Sequence, residues 1–337
     1  MRPLVSVLIP AYNSEAWLGD TLRSVLAQTW PAKEIIVVDD GSKDRTREVV
    51  SQFASQGVRL VSQANQGGSA ARNKAYSLCQ GEYIQWLDAD DLLAPDKIEK
   101  QMALVSAGLS PRTLLSGAWG YFMFRPSTTK FLPTALWTDL TPAEWLRRKM
   151  ADNLHMSNSS WLVSRELTEA AGPWDTQLSL DDDGEYFCRV LLASNGVRFV
   201  PEAKVYYRRS GGDTLSNVDS SSKKLESQFR SIGLHIRYLK SLADTDSTRQ
   251  ACLRYLQGWP LFFYPERQDL LKELDAMAES LGGHLAPPRL RWKYAWLENI
   301  AGFAAAKRAQ FFLPGLKWRA IRSWDKLMFQ MEQRKAV

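Results

Sequence analysis

The stretch "GEYIQWLDADD", residues 81–91, joins a β-strand pattern to a cluster of carboxylates. Tyr83 to Leu87 form a nearly continuous apolar run, which is typical of a strand that is buried on both faces. Asp88, Asp90 and Asp91 follow directly, and the stretch contains no Lys or Arg to offset their charges. Because like charges at such short separation repel one another, the cluster needs a positive partner from outside the stretch.

A divalent cation is one such partner, since Mg²⁺ and Mn²⁺ prefer oxygen ligands and are commonly held by one or two carboxylates plus substrate phosphates. We therefore predict that Asp88 and Asp90 bind a metal ion at the end of the strand. The alternative is that these two carboxylates cap the next helix and face water. Asp91 is expected to cap a helix that begins after Leu92.

Strand and helix patterns alternate in the N-terminal third of the chain. Apolar runs rich in β-branched residues are separated by segments whose apolar residues recur at helical spacing. This alternation predicts an α/β fold with a doubly wound, mostly parallel sheet and helices on both faces. The strand patterns lie at residues 4–10, 34–40, 58–63 and 81–87, and the helical patterns lie at 14–29, 43–57 and 69–80.

Polar residues follow each of the four predicted strands. In open parallel sheets, ligands bind beyond the carboxyl ends of the strands. We therefore expect one binding site at the edge where these strand ends meet. The polar residues are Tyr12 and Asn13, Asp39 and Asp40, residues 65–68, and residues 88–91.

Three motifs in this region resemble those of the family 2 glycosyltransferases, which have the GT-A fold. They are "VSVLIPAYNSEAWLGDTLRSVLAQTWPAKEIIVVDDGSKDRT" (5–46), "NQGGSAARNKA" (65–75) and "GEYIQWLDADD" (81–91). The resemblance extends over about the first 210 residues. It implies transfer of a sugar from a nucleoside-diphosphate sugar. Helical patterns from about residue 219 onward predict a helical C-terminal extension beyond the GT-A domain.

The resemblance also assigns site residues. It places Asp88 and Asp90 on a Mn²⁺ or Mg²⁺ ion, Asp39 and Asp40 near the base and ribose, and Arg72 near base or phosphate oxygens. Carboxylates can accept hydrogen bonds from a uracil N–H or ribose hydroxyls, so a UDP-sugar is favoured, although guanosine and thymidine donors also fit. The implied donor-nucleotide residues are Pro10, Ala11, Tyr12, Glu15, Asp39, Asp40, Arg72, Asp88 and Ala89.

The catalytic base is implied by "SLDDDGEYFCRVL", residues 179–191, which resembles the acidic motif of the same family. Counting back from Arg189 favours Asp183, with Asp182 as its acidic neighbour and Asp181 as a third candidate. As a general base, Asp183 would accept the proton of the acceptor hydroxyl during attack on the anomeric carbon. Attack from the face opposite the leaving group would invert that centre.

Beyond residue 95 the patterns are less distinctive. Residues 197–208 are expected to form two short strands, after which Arg208 and Arg209 could reach the donor diphosphate beside a loop, "SGGDTLS", that orders over bound donor. Trp161 and Trp174 are expected either in an acceptor pocket or in the core. We predict a nucleotide-sugar-binding half at 1–110, an acceptor-binding half at 111–215 and a helical region at 216–337.

The C-terminal region is basic and rich in tryptophan. Residues 287–337 contain 11 Lys or Arg and 3 Asp or Glu, a balance of +8 against +6 for the whole chain. Two interpretations stay open: an amphipathic segment on an anionic membrane surface, or a helical subdomain with a basic face. No recognisable nucleic-acid motif is present, so we expect no nucleic-acid partner.

The expected location is cytoplasmic, with peripheral attachment to the inner face of the cell membrane if the C-terminal region binds lipid. The first residues lack the apolar run and cleavage site of a secretory signal, and no apolar stretch has the length of a membrane span. The acceptor is expected to be a glycan or a lipid-linked molecule of cell-surface polysaccharide or glycolipid biosynthesis. The alternative is a receiver-like signalling module or a nucleotide-binding module without transferase activity.

Overall fold

The computed structural model of the chain describes residues 2–210 and 221–335. Its strands are β1 (Val5–Ala11), β2 (Lys33–Asp39), β3 (Val58–Ser62), β4 (Tyr83–Trp86), β5 (Leu92–Leu93), β6 (Thr113–Phe122), β7 (Val163–Ser164) and β8 (Gly196–Arg208). Its α-helices are α1 (Leu18–Leu26), α2 (Thr46–Ser51), α3 (Gly68–Leu78), α4 (Lys97–Ser106), α5 (Pro142–Ala151), α6 (Arg165–Ala171), α7 (Asp182–Ala193), α8 (Ser222–Leu242), α9 (Asp246–Gln257), α10 (Pro260–Phe263), α11 (Gln268–Ser280) and α12 (Trp292–Lys335).

A five-stranded sheet with the order β3-β2-β1-β4-β7 lies at the centre of the N-terminal half. Strands β1 to β4 are mutually parallel where they pair, and β7 adds to β4 in the antiparallel direction. Nearly every residue of β1 and β2 is buried, as expected for strands that are covered on both faces. The predicted α/β fold with a mostly parallel sheet is confirmed.

The parallel register brings the candidate site residues to one edge of this sheet. Ala11 at the end of β1 lies beside Asp39 at the end of β2, while β4 pairs with β1 on its other side and ends at Trp86. The segment after β4 therefore emerges next to the segment after β1. Sequence positions that are far apart meet because all three strands point in the same direction.

A second sheet has three strands in the order β5-β8-β6. The prediction of two short strands at 197–208 is wrong, because one strand, β8, covers this range. Its pairing with β6 shifts register between Gly117 and Trp119, so the residues on both sides of Pro201 bond to the same neighbouring strand. A bulge tolerates a proline because the extra residues do not need to donate to the ladder.

The helices α8 to α12 form a C-terminal region, which confirms the predicted helical extension. The boundary predicted at 215 and most of the "SGGDTLS" loop lie outside the described residues. Gly302 interrupts α12 with a left-handed backbone conformation, φ 78°. Across residues 2–210 and 221–335, no helix combines the length and hydrophobicity needed to span a bilayer.

Substituting Gly117 by Ala is expected to destabilise the fold by about 3 kcal/mol, because the new methyl group meets backbone in a packed sheet. A Cβ at this position would clash with the carbonyl oxygen of Ala203 in the bulged part of β8. Urea denaturation would measure the loss. Gly19→Ala is the matched control: its Cβ meets atoms no closer than 3.6 Å, so a small gain in helix stability is expected. Equal effects of the two substitutions would contradict this account of the bulge.

Candidate active site

Arg72 joins two parts of the cleft through ion pairs with two carboxylates. Its Nη2 donates to Asp88 Oδ1 at 2.9 Å, and its Nη1 donates to Asp182 Oδ2 at 3.0 Å. Ser69 Oγ also donates to Asp182 Oδ2, at 2.8 Å. The Arg72 side chain is 9% exposed, so these charge-assisted bonds form largely out of water. Helix α3, which carries Ser69 and Arg72, thereby ties the end of β4 to the start of α7.

Trp174 supports the Arg72 guanidinium from one face. The Arg72 Cζ lies 4.5 Å from the Trp174 ring centroid, and this ring stacks on Tyr186 at 4.1 Å between centroids. The Asn73 side chain donates to the carbonyl oxygen of Trp174 and accepts from its N–H. Trp174 is 2% exposed, so it belongs to the core and not to an open acceptor pocket.

Asp90 is a partly buried carboxylate beside Asp88. Burial raises the pKa of Asp90 to about 6, and the negative charge of Asp88 adds to the shift. Between these residues, the carbonyl oxygen of Ala89 accepts from Thr21 Oγ1 at 2.9 Å, which fixes the backbone of the loop. An upward shift of this kind marks a carboxylate for which positive charge nearby is insufficient.

Asp91 has a different role from the predicted one. It is fully buried and accepts from Ser159 Oγ at 2.7 Å and from the backbone N–H of Arg208 at 2.9 Å. The residues after it form β5, and the next helix, α4, begins only at Lys97. The prediction that Asp91 caps a helix is therefore wrong. The alternative that Asp88 and Asp90 cap the next helix is wrong for the same reason. Asp91 instead ties the carboxylate loop to β8.

Arg208 also holds this loop in place. Its guanidinium donates to the carbonyl oxygen of Asp90 at 2.7 Å, to the carbonyl oxygen of Met123 at 3.0 Å and to Asp20 at 3.2 Å. It packs over the rings of Trp17 and Phe122 and is 4% exposed. The expectation that Arg208 reaches out to the diphosphate is wrong for this conformation, because its donors are bound within the protein.

Asp39 ends β2, Asp40 follows it, and both are buried. Asp39 Oδ1 accepts from the N–H of Ser42, whereas Oδ2 is buried without a hydrogen-bond partner among the described residues. The Asp40 oxygens accept from Gln63 Nε2 and from the N–H groups of Gln66 and Gly67. Asp40 thus shapes the turn before α3, while Asp39 Oδ2 has an ion-pair partner in Arg47 Nε at 3.9 Å and can still accept a hydrogen bond.

The remaining predicted donor residues follow β1. Pro10 and Ala11 end this strand, and Tyr12 is 47% exposed, so that its ring is accessible from solvent. Glu15 accepts from the backbone N–H of Arg45 at 2.9 Å and from Arg45 Nε at 3.2 Å. The segment after β1 is therefore hydrogen-bonded to the segment after β2, and the ring of Tyr12 is exposed to solvent.

The three consecutive aspartates at the start of α7 face different partners. Asp182 binds Arg72 and Ser69, and Asp181 accepts from Ser231 Oγ and Gln228 Nε2 of α8. Asp183 accepts from the N–H of its neighbour Gly184 at 2.9 Å. Burial raises the pKa of Asp183 to about 7, with further contributions from the charges of Asp182 and Asp181.

Asp183 lines a small cleft with an internal volume of about 30 Å³. Lys149, His155 and Trp161 line the same cleft. Trp161 is 1% exposed and packs on Phe187, so it is a core residue whose edge reaches the cleft. Among the three aspartates, Asp183 therefore combines an open approach with a pKa near neutrality, the combination that a general base needs. Asp181 also lines the cleft, but its hydrogen bonds to α8 occupy it.

Several residues of the site were not predicted. Asn158 Nδ2 donates to Asp88 Oδ1 at 3.2 Å, and Ser159 binds Asp91. Both belong to the polar run "SNSS", residues 157–160, which is entirely buried between apolar segments. A buried polar run is a detectable signal, because such groups require partners. The sequence contains no comparable signal for Lys149, an ordinary basic residue of α5.

Asp88 and Asp90 form a donor set that a hard divalent cation would accept. They supply carboxylate oxygens from one loop, and substrate phosphates and water commonly complete such a site. Arg72 and Asn158 bind one oxygen of Asp88, whereas the raised pKa of Asp90 indicates uncompensated charge. The residues present therefore fit Mn²⁺ or Mg²⁺.

Known proteins share the N-terminal part of this sequence. Residues 6–110 match the family model described as glycosyl transferase family 2. The glycosyltransferase GlyG of Streptococcus pneumoniae is 41% identical over 234 residues, which cover 66% of this chain and 76% of GlyG. TuaG of Bacillus subtilis, named as a glycosyltransferase of teichuronic acid biosynthesis, is 43% identical over 104 residues, which cover 30% of this chain. The match spans 41% of the length of TuaG.

A solved structure extends the likeness to most of the chain. The structure of S. aureus TarS, residues 1–349, in complex with UDP-GlcNAc superimposes on this chain with a TM-score of 0.65. The superposition covers 91% of this chain and 91% of the TarS chain. Since the sequences are 18% identical, this likeness concerns the fold, and it confirms the predicted GT-A type. Together with the family model, the match to three quarters of GlyG establishes that this chain belongs to glycosyl transferase family 2.

Proposed function

We propose that this chain is an inverting, divalent-metal-dependent glycosyltransferase. It moves a sugar from a nucleoside-diphosphate sugar, with UDP-sugars favoured, to a hydroxyl group of a glycan or lipid-linked acceptor. The product belongs to a cell-surface polysaccharide or glycolipid, in keeping with the biosynthetic role that the name of TuaG gives. Both lipid-linked acceptors and cell-surface precursors favour a peripheral position at the inner face of the membrane.

The bridge that Arg72 forms between Asp88 and Asp182 carries this proposal. One guanidinium separates the candidate metal carboxylates after β4 from the aspartates at the start of α7. Asp183, with a pKa of about 7, lies directly beside Asp182 on an open cleft. The negative charge of Asp88 also contributes to the raised pKa of Asp183, so the candidate metal carboxylates and the candidate base lie within electrostatic range of each other.

The donor nucleotide is proposed to bind along the ends of β1 and β2. Asp39 Oδ2, which has no hydrogen-bond partner among the described residues, can accept from a uracil N–H, and the exposed ring of Tyr12 can stack on the base. Pro10, Ala11 and Glu15 shape the surroundings of the base. Asp40 maintains the adjacent turn, and a contact between Arg72 and the nucleotide stays a prediction. The binding of UDP-GlcNAc by TarS, which has the same fold, supports a uridine donor.

In the proposed reaction, Asp183 accepts the proton of the acceptor hydroxyl while its oxygen bonds to the anomeric carbon. The bond between that carbon and the diphosphate oxygen breaks, and its electron pair leaves with the nucleoside diphosphate. Attack on the opposite face inverts the anomeric centre. Asp88 and Asp90 would hold a divalent metal ion, whose positive charge would stabilise the leaving diphosphate.

We expect the Asp90→Asn substitution to abolish metal-dependent donor binding, because it removes one of two carboxylate ligands. A thermal-shift panel of UDP-, GDP-, dTDP- and CDP-sugars with Mn²⁺ or Mg²⁺ first identifies the donor, since a tight ligand raises the melting temperature. The same measurement then compares the variant with Asp96→Asn, the matched change in the same segment. An equal metal-dependent shift in both variants would refute the metal site.

We expect the Asp183→Asn substitution to lower kcat by roughly 10² to 10⁴ while donor binding changes little, because an amide cannot accept the proton. For the wild type, kcat/KM should rise with pH to a plateau above about pH 7, where Asp183 is deprotonated. Asp139→Asn, a surface carboxylate paired with Arg198, is the control. Normal turnover by Asp183→Asn would rule out this base, and donor binding without transfer or hydrolysis by the wild type would indicate a binding module.

The same substitution is expected to stabilise the fold at pH 8. The pKa of Asp183 is raised from an ordinary 3.8 to about 7, so folding loses stability as pH rises between these values. An amide does not ionise, so Asp183→Asn should show a higher melting temperature at pH 8 and a smaller gain at pH 5. Asp182→Asn is the opposing control, because it removes an ion pair of the buried Arg72. A lower melting temperature of Asp183→Asn at pH 8 would contradict the assigned burial.

A further inference from the structure

The outward face of α12 carries a continuous apolar surface, which we call the outer stripe. It consists of Leu313, Leu316, Trp324, Leu327 and Met331, whose side chains are 44–62% exposed. Residues three, four or seven positions apart share one face of a helix. The spacing from Leu313 to Trp324 repeats from Leu316 to Leu327, and this interval of about three turns places the stripe on one side of α12, which contains Pro314.

The inward face of α12, by contrast, docks through charged and aromatic contacts. Asp325 Oδ1 accepts from Arg125 Nε at 2.7 Å, and its Oδ2 accepts from the N–H of Phe124 at 2.9 Å. The ring of Trp318 lies 4.2 Å from the Arg209 guanidinium. An amphipathic helix on a globular protein normally buries its apolar face. In α12 a carboxylate is buried against the protein, and leucines face outward.

The charges on α12 are sorted in the same way. Its acidic residues after Gly302 are Asp325 and Glu332, and both bind Arg125, the latter at 3.0 Å. Lys317, Arg319 and Lys326 are exposed on the outer part of the same helix. Docking thus engages the negative charges and leaves an outward surface that is apolar and basic.

We propose that the outer stripe docks on the surface of an anionic lipid bilayer. Helices with aromatic and leucine side chains on one face and Lys or Arg around it lie in the interface of such bilayers. Trp292, Trp296 and Ile300, which are 57–81% exposed on the segment before Gly302, add further apolar surface. A second copy of the chain fits less well, because paired stripes would bring like charges together.

This inference deepens the proposed function by naming the surface through which the enzyme reaches a lipid-linked acceptor. The docking contacts of α12 are near the candidate site: Arg209, under Trp318, directly follows Arg208, which holds the backbone of Asp90. Bilayer contact would therefore hold the cleft close to the lipid headgroups. Binding itself does not depend on sugar transfer, so the two proposals fail separately.

Flotation of the full chain with vesicles tests the charge component. Binding to vesicles of phosphatidylcholine with about 30% phosphatidylglycerol should exceed binding to pure phosphatidylcholine and fall with added salt. The double substitution Lys317→Gln and Lys326→Gln should weaken the partition coefficient about 30-fold. Lys223→Gln with Lys272→Gln, which removes equal charge from α8 and α11, should change it less than about twofold.

A second pair of variants tests the apolar component. Leu327→Glu in the outer stripe should lower vesicle binding at least about tenfold, while Leu132→Glu, at a more exposed leucine elsewhere, should not. Thermal melting and donor-induced shifts, measured for every variant, verify that the fold is intact. Vesicle binding by a chain that binds no donor would support the bilayer surface and reject the transferase.

Three results would overturn the bilayer proposal. The first is equal binding of the wild type to vesicles with and without phosphatidylglycerol. The second is an equal loss of vesicle binding in Leu327→Glu and Leu132→Glu. The third is a wild type that binds no vesicles and forms a dimer in light scattering, which Leu327→Glu converts to monomer. The last result would assign the outer stripe to a second copy of the chain.

Discussion

The buried guanidinium of Arg72 is the constraint on which the site depends. A charge removed from water must be paired, and breaking a buried pair costs about 3–5 kcal/mol. Asp88 and Asp182 meet this requirement, although they lie 94 positions apart in the chain. Without Arg72, two carboxylates would face each other across the cleft, so the same pairing that satisfies the cation also brings the two acidic segments together. Trp174, stacked on Tyr186 and bonded to Asn73, keeps the guanidinium in this position.

The ion pairs of Arg72 leave part of the negative charge of the site uncompensated. The uncompensated carboxylates are those that the proposed reaction uses. Arg72 binds one aspartate of each acidic segment and leaves Asp90 and Asp183 with raised pKa values. Asp39 likewise keeps one buried oxygen without a hydrogen-bond partner among the described residues. Each gap costs stability in the absence of a ligand. Carboxylates with perturbed pKa values cluster where a protein binds or transforms a substrate, because a carboxylate whose charge and hydrogen-bonding capacity are already matched cannot bind one.

The sequence predicted those parts of the molecule that leave a local pattern. Alternating strands and helices follow from periodicity, and the parallel direction of β1, β2 and β4 then brings their ends together. The errors concern contacts between distant segments. Asp91 binds the N–H of Arg208, 117 positions away, and nothing near Asp91 indicates this. Residues 197–208 form one strand and not the two short strands expected, because pairing with β6 continues on both sides of Pro201.

The amino-acid composition of α12 does not predict which face of the helix packs on the protein. A mixture of Trp, Leu, Lys and Arg is equally compatible with a helix packed by its apolar face and with one packed by its polar face. Arg125 distinguishes them, because it binds both Asp325 and Glu332 and so turns the acidic side of the helix toward the protein. The opposite side is then necessarily the apolar and basic one. Since docking to the protein and contact with a bilayer use opposite faces, they do not compete, and the helix can make both at once.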